Sequence, residues 1–104
     1  MKFGYAIVYV ADVEQTMDFY VKAFDFKQYF LHKSKQYGEL DTGDTKLAFA
    51  SNALAESNGV EFVRNDIKDP AAGFEIVLVS DDVQGSYEHA LANGAIGVDR
   101  KSVV

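Results

Sequence analysis

The sequence predicts an α+β fold of two β-α units, the first continuing as β-α-β-β-β and the second incomplete. Three observations predict it. Short β-branched and aromatic runs alternate with segments of helical period. A strand, an acidic cap and a helix occur in that order twice, offset by 69 residues across the strands and 70 across the helices. After the second helix only residues 95 to 104 follow, against three strands' worth of chain after the first.

The elements follow in order. Residues 4 to 10 (GYAIVYV) are β-branched and aromatic and read as a buried strand. Ala11 and Asp12 end it. Asp12 can accept from the backbone N–H groups of the next turn and Gln15 can reach back, a capping-box spacing. Val13, Met17, Tyr20 and Phe24 then repeat at four, three and four residues, one face of a helix. Asp25 stands where a glycine would be the usual left-handed cap. Residues 26 to 33 (FKQYFLHK) read as a strand, 34 to 36 as a polar turn, and 37 to 40 as a second strand. Residues 41 to 44 (DTGD) form a tight turn with Gly43 free to take positive φ. Residues 45 to 51 (TKLAFAS) make a third strand.

Residues 52 to 72 show no period, with a short edge strand expected at 60 to 63. Residues 73 to 79 (GFEIVLV) read as a strand. Asp81 or Asp82 caps a helix carrying Val83, Tyr87, Ala90 and Leu91, and Gly94 stops it. A last strand begins at 95 to 98. The chain therefore reads as a single domain over 1–104: a first module at 1–51, a connection at 52–72 and an incomplete second module at 73–104. Each β-α copy needs its helix on one sheet face and a partner elsewhere. A missing hairpin would expose strand edges and apolar surface, so a homodimer is expected, with or without exchange of elements.

Composition narrows the function. Hydrophobic residues make up 48% and charged residues 25% of 104, with one proline, which together exclude a disordered chain. No cysteine is present, so disulfides and thiolate metal sites are excluded. The net charge of −6 argues against nucleic acid and anionic membranes as partners and suits a cationic ligand. The longest apolar run, residues 5 to 11, is far short of the roughly 20 residues that span a bilayer, and no secretory core precedes it. A cytoplasmic protein is expected.

Side-chain alternation places Tyr5, Ile7 and Tyr9 on one face of the first strand and Ala6, Val8 and Val10 on the other. The small β-branched set suits packing under the helix, which points the tyrosines into a concavity. Tyr37 and Phe49 are expected to extend that aromatic lining, a surface suited to flat or cationic ligands. Packing of the same aromatics in a dimer core is the competing use. Glu75 lies within an apolar strand and needs a partner, a cavity or an exposed position. The two histidines, His32 and His89, have no linking spacing, and His89 falls off the apolar stripe of its helix. No glycine-rich phosphate loop or nucleophile motif is present.

Residues 5 to 13 (YAIVYVADV), Phe19 and Tyr20, and residues 23 to 26 (AFDF) are similar to the signature of the vicinal oxygen chelate family, the glyoxalase, bleomycin-resistance and extradiol-dioxygenase group. There, a strand ending V-x-D leads into a helix ending F-Y-x-x-x-L-G-F. Residues 74 to 82 and 92 to 95 resemble the second half, so the resemblance covers about residues 3 to 98. It implies paired βαβββ modules whose curved mixed sheets enclose a cavity. It also implies a divalent metal held by about four His and Glu side chains on the first and last strands of each module. Here those positions fall on Tyr5, on Ala48, and on Phe74 or Glu75, and the last strand has no counterpart. Three readings follow. The first is a metal-independent, cofactor-free binder of a small molecule, with Tyr5, Ile7, Tyr9, Tyr37, Phe49 and Glu75 as ligand contacts. The second is a metalloenzyme completed across a dimer, with Glu75 and His32 as donors. The third is a structural relic.

Overall fold

The computed structural model describes residues 1–98. The sheet is built from β1 (Ala6–Val10), β2 (Lys27–Leu31), β3 (Tyr37–Asp41) and β4 (Lys46–Ser51). Helix α1 (Val13–Phe24) connects β1 to β2, α2 (Asn52–Ser57) follows β4, and α3 (Val83–Ala92) lies in the second half. The strand order is β1-β4-β3-β2. β4 returns parallel to β1, while β2 to β3 and β3 to β4 are antiparallel, so the sheet is mixed. This is the β-α-β-β-β order that the sequence predicts for residues 4 to 51, in an α+β fold.

α1 begins where the cap residue says it should. Asp12 Oδ1 accepts the Gln15 N–H at 2.9 Å, satisfying a donor that has no partner inside the helix. The helix ends at Asp25, which takes the left-handed conformation (φ 59°) and donates its N–H to the Val21 carbonyl. Val13 and Met17 are buried against Leu40, Leu47 and Phe49 of the sheet, and Val8, Val10, Tyr20 and Leu31 pack around them. Gly38 of β3 lets the helix come this close. A Cβ there would stand 3.1 Å from Met17 Cε and 3.3 Å from Leu31 Cδ1.

The second half departs from expectation. Residues 52 to 57, read as part of an aperiodic connection, form α2, with Ser51 Oγ accepting the Leu54 N–H at 3.0 Å. Six residues are too few for a helical period to show. Residues 60 to 63, 73 to 79 and 95 to 98 are irregular rather than strands. A strand is a paired object, and within the described residues nothing donates to or accepts from 73 to 79 in a ladder. Val77 and Val79 are consequently 78% and 95% exposed. The remainder of the expected last strand, residues 99 to 104, lies outside the described residues. α3 forms as the cap and stripe predict, with Asp82 Oδ1 accepting the Gly85 N–H. It packs on α1, where His89 Nε2 meets the Lys22 carbonyl at 2.8 Å. No helix among the described residues is long and apolar enough to cross a membrane.

Candidate functional site

With α1 covering one face of the sheet, the other face is open, and register decides what stands on it. Ile7 pairs with Ala48 and Tyr9 with Ala50 across β1 and β4. Tyr37 pairs with Ala50, Glu39 with Ala48, and Asp41 with Lys46 across β3 and β4. Directly paired residues share a face. The two alanines therefore form a floor, with tyrosines and isoleucine on the β1 side and tyrosine and glutamate on the β3 side. Ala48 is fully buried by these taller neighbours.

A polar chain runs across this face. Tyr37 Oη donates to Glu39 Oε2 at 2.6 Å. Burial pushes the Tyr37 phenol well above its ordinary range, and the hydrogen bonds and charges of Glu39 and Tyr5 push it the same way. Tyr37 is accordingly a proton-bearing donor and not a base. On the far side of Glu39, Lys46 Nζ lies 3.7 Å from Oε1 and 3.9 Å above the centre of the Tyr29 ring. Tyr29 reaches this position through a β-bulge, since the register jumps between Gln28 and Phe30 and leaves it as the extra residue. Phe30, opposite Glu39, lies 6.4 Å from the Tyr37 ring.

Two clefts border the face. One, of about 250 Å³, is lined by Tyr5, Tyr29, Asp41, Asp44 and Lys46. The other, of about 560 Å³, wraps the outer edge of β1 and is lined by Ile7, Tyr9, Phe62, Phe74 and Glu75 among others. The Phe62 ring sits 4.7 Å from Tyr9, and Asn65 donates to the Tyr9 carbonyl at 2.9 Å, holding the 60 to 65 segment against β1.

Of the residues singled out by sequence, Tyr5, Ile7, Tyr9 and Tyr37 share the open face. Phe49 does not. It is 1% exposed, with its ring 5.0 Å from Tyr20, because it pairs with Gly38 on the helix-covered face. The expectation that it lines the concavity is corrected: it is core. Glu75 is exposed and stands beyond the edge of β1 on an irregular segment. His32 turns to the β2–β3 connection, its Nδ1 accepting the Ser34 N–H at 3.0 Å. His89 is engaged with α1. Sequence reading missed Glu39, Lys46 and Tyr29. Period-two alternation from Tyr37 would have found Glu39, and from Ala48 would have found Lys46. The bulge that turns Tyr29 toward Lys46 has no local sequence signal.

The donor set does not fit a divalent ion. Ala48 offers a methyl group where the resemblance places a carboxylate, Tyr5 a phenol where it places an imidazole, and Glu39 is already engaged by Tyr37 and Lys46. Among the described residues no three His, Cys, Asp or Glu side chains converge.

The sequence profile of the Glyoxalase/Bleomycin resistance protein/Dioxygenase superfamily matches residues 2–101. No curated protein matches the chain. Among solved structures, a glyoxalase-related enzyme from Fulvimarina pelagi is similar over 90% of this chain and 66% of its own, at 18% identity and a TM-score of 0.64. TioX from Micromonospora sp. ML1 is similar over 91% of this chain and 74% of its own, at 17% identity and a TM-score of 0.61. The bleomycin-binding protein of Streptomyces verticillus, solved with copper(II)-bleomycin, aligns over 50% of this chain and 43% of its own, at 22% identity and a TM-score of 0.44. At these identities the likeness of the first two is one of fold.

Proposed function

Since the chain belongs to the Glyoxalase/Bleomycin resistance protein/Dioxygenase superfamily, we propose that it is a metal-independent small-molecule binding protein whose ligand lies on the open face of its sheet. One observation carries this reading. A floor of two alanines is flanked by Tyr5, Ile7, Tyr9 and Tyr37, with the Glu39 carboxylate held in place by the Tyr37 hydroxyl. Flat apolar walls with a few fixed polar groups are what a small-molecule site requires. The net charge of −6 and the carboxylate favour a cationic aromatic ligand over an anionic one. The missing donor set directs the site to binding rather than to metal-dependent chemistry. Glu75 borders the outer cleft with Ile7 and Tyr9 and is the second acidic contact of this reading. The protein acts as a homodimer, the second copy covering apolar surface that the described chain leaves open.

A thermal-shift screen of cationic aromatic compounds tests the reading. A ligand at a hundred times its Kd stabilises the native state by about 2.7 kcal/mol. That raises Tm by upwards of about 10 °C in a domain of this size. The shift is expected to vanish in Tyr5→Ala and Tyr9→Ala variants that retain wild-type circular dichroism. A broad library that shifts the wild-type protein nowhere overturns the proposal.

A further inference from the structure

We infer that the Lys46 ammonium occupies the cation subsite of this face and that a ligand's organic ammonium group binds by displacing it. The inference rests on the binding function proposed above and names the chemical class that Glu39 and Tyr29 recognise.

The surroundings of Lys46 Nζ are those of a bound cation. An aromatic face lies 3.9 Å below it, inside the roughly 6 Å over which a ring attracts positive charge. A carboxylate oxygen of Glu39 lies 3.7 Å away. Asp41 is its direct partner across β3 and β4, and Asp44 lines the same cleft. The contact with Glu39 is nonetheless too long for a hydrogen bond, and the Lys46 side chain is 36% exposed. A long flexible side chain loses rotamer freedom by staying in such a contact. Lys46 can therefore leave into solvent without breaking a hydrogen bond to Glu39.

Glu39 is in the opposite position. Its side chain is 14% exposed, and it accepts a hydrogen bond from Tyr37. A carboxylate so withdrawn from water is costly without a positive neighbour. When Lys46 swings out, the vacancy must be filled by another cation. A quaternary or alkylated ammonium suits it, because it needs no hydrogen-bond donors, has an aromatic face to rest on, and is less strongly hydrated than a lysine ammonium. The adjoining cleft of about 250 Å³, lined by Tyr29, Asp41 and Asp44, holds such a headgroup, and the exposed side chains of Tyr5 and Ile7 take the apolar remainder. Lys46 then sets specificity by competition, since every ligand must outbind the lysine.

Isothermal titration with phenyltrimethylammonium tests this on the wild-type chain and on Lys46→Met, Lys46→Arg and Glu39→Gln, each checked for native circular dichroism. Lys46→Met is expected to bind the probe at least tenfold more tightly than wild type, Lys46→Arg within threefold of it, and Glu39→Gln at least tenfold more weakly. Equal or weaker binding by Lys46→Met overturns the inference and leaves the binding function standing. The same holds if no variant binds the probe while other library compounds shift the wild-type Tm. If neither the probe nor any library compound binds, both fall.

Discussion

The Tyr37 hydroxyl ties two properties of the open face together. It fixes the Glu39 carboxylate, and its own ionisation is opposed by burial first and by the Glu39 hydrogen bond next. Tyr20, withdrawn from water beside Phe49, is shifted in the same direction by burial alone. A phenol whose folded pKa is raised contributes stability in full below the unfolded value of about 10. That contribution is lost as pH climbs from there toward the folded value, because the unfolded chain ionises first. Stability is therefore expected to fall as pH rises above about 10, and to fall less steeply in Tyr37→Phe. Urea midpoints measured across that range check it, and an equal slope in the two proteins would contradict the placement of Tyr37. Residue by residue, legibility tracked alternation. Counting in twos places Tyr5, Ile7 and Tyr9, while Tyr37 enters only as a further aromatic residue. Phe49 is misplaced because nothing in residues 45 to 51 taken alone says which alternate set faces the helix: alanines flank the phenylalanine on both sides. Register against β3 settles the parity, and register is a property of two strands.

Elements were legible where their stabilising partners are local. α1 carries its own signals, an acidic cap at Asp12 and an apolar stripe, and it forms where they say. Its other end holds a residual cost. Asp25 adopts φ 59°, a conformation that costs an L-residue roughly 1–2 kcal/mol, less for aspartate, and glycine almost nothing. Asp25→Gly is expected to stabilise the protein by about 0.5–1 kcal/mol, the gain being trimmed by the greater freedom of glycine in the unfolded chain. The exposed carboxylate lies 3.9 Å from His89, a contact too weak to offset this. Chemical denaturation of the two proteins measures the difference, and a destabilised glycine variant would show that the Asp25 side chain matters more than its backbone. Residues 73 to 79 teach the converse. Their composition is that of a strand, yet β-propensity expresses packing and pairing with neighbours. Among the described residues no strand pairs with it, and the segment stays irregular.

At the scale of the whole molecule the two halves are unequal. The first is a sheet with a helix seated on it. The second joins it through α3 on α1 and through Asn65 and Phe62 against β1, leaving Val77, Val79, Ile96 and Val98 more than 70% exposed. β1 is an edge strand. An apolar segment without strand pairing and an unpaired strand edge in one chain are complementary across two chains, since each supplies what the other lacks. A symmetric dimer uses both twice. Light scattering at micromolar concentration is expected to give twice the 11.5 kDa chain mass. Charges placed in the exposed segment, Val77→Lys with Val79→Lys, are expected to return it to the monomer. Both side chains face water in the single chain, so the double variant should keep native circular dichroism and an unchanged urea midpoint for the first half. A wild-type protein that runs as a monomer throughout that range would mean that the segment is left unpaired in solution too, and the open face would then have to hold its ligand without help from a second copy.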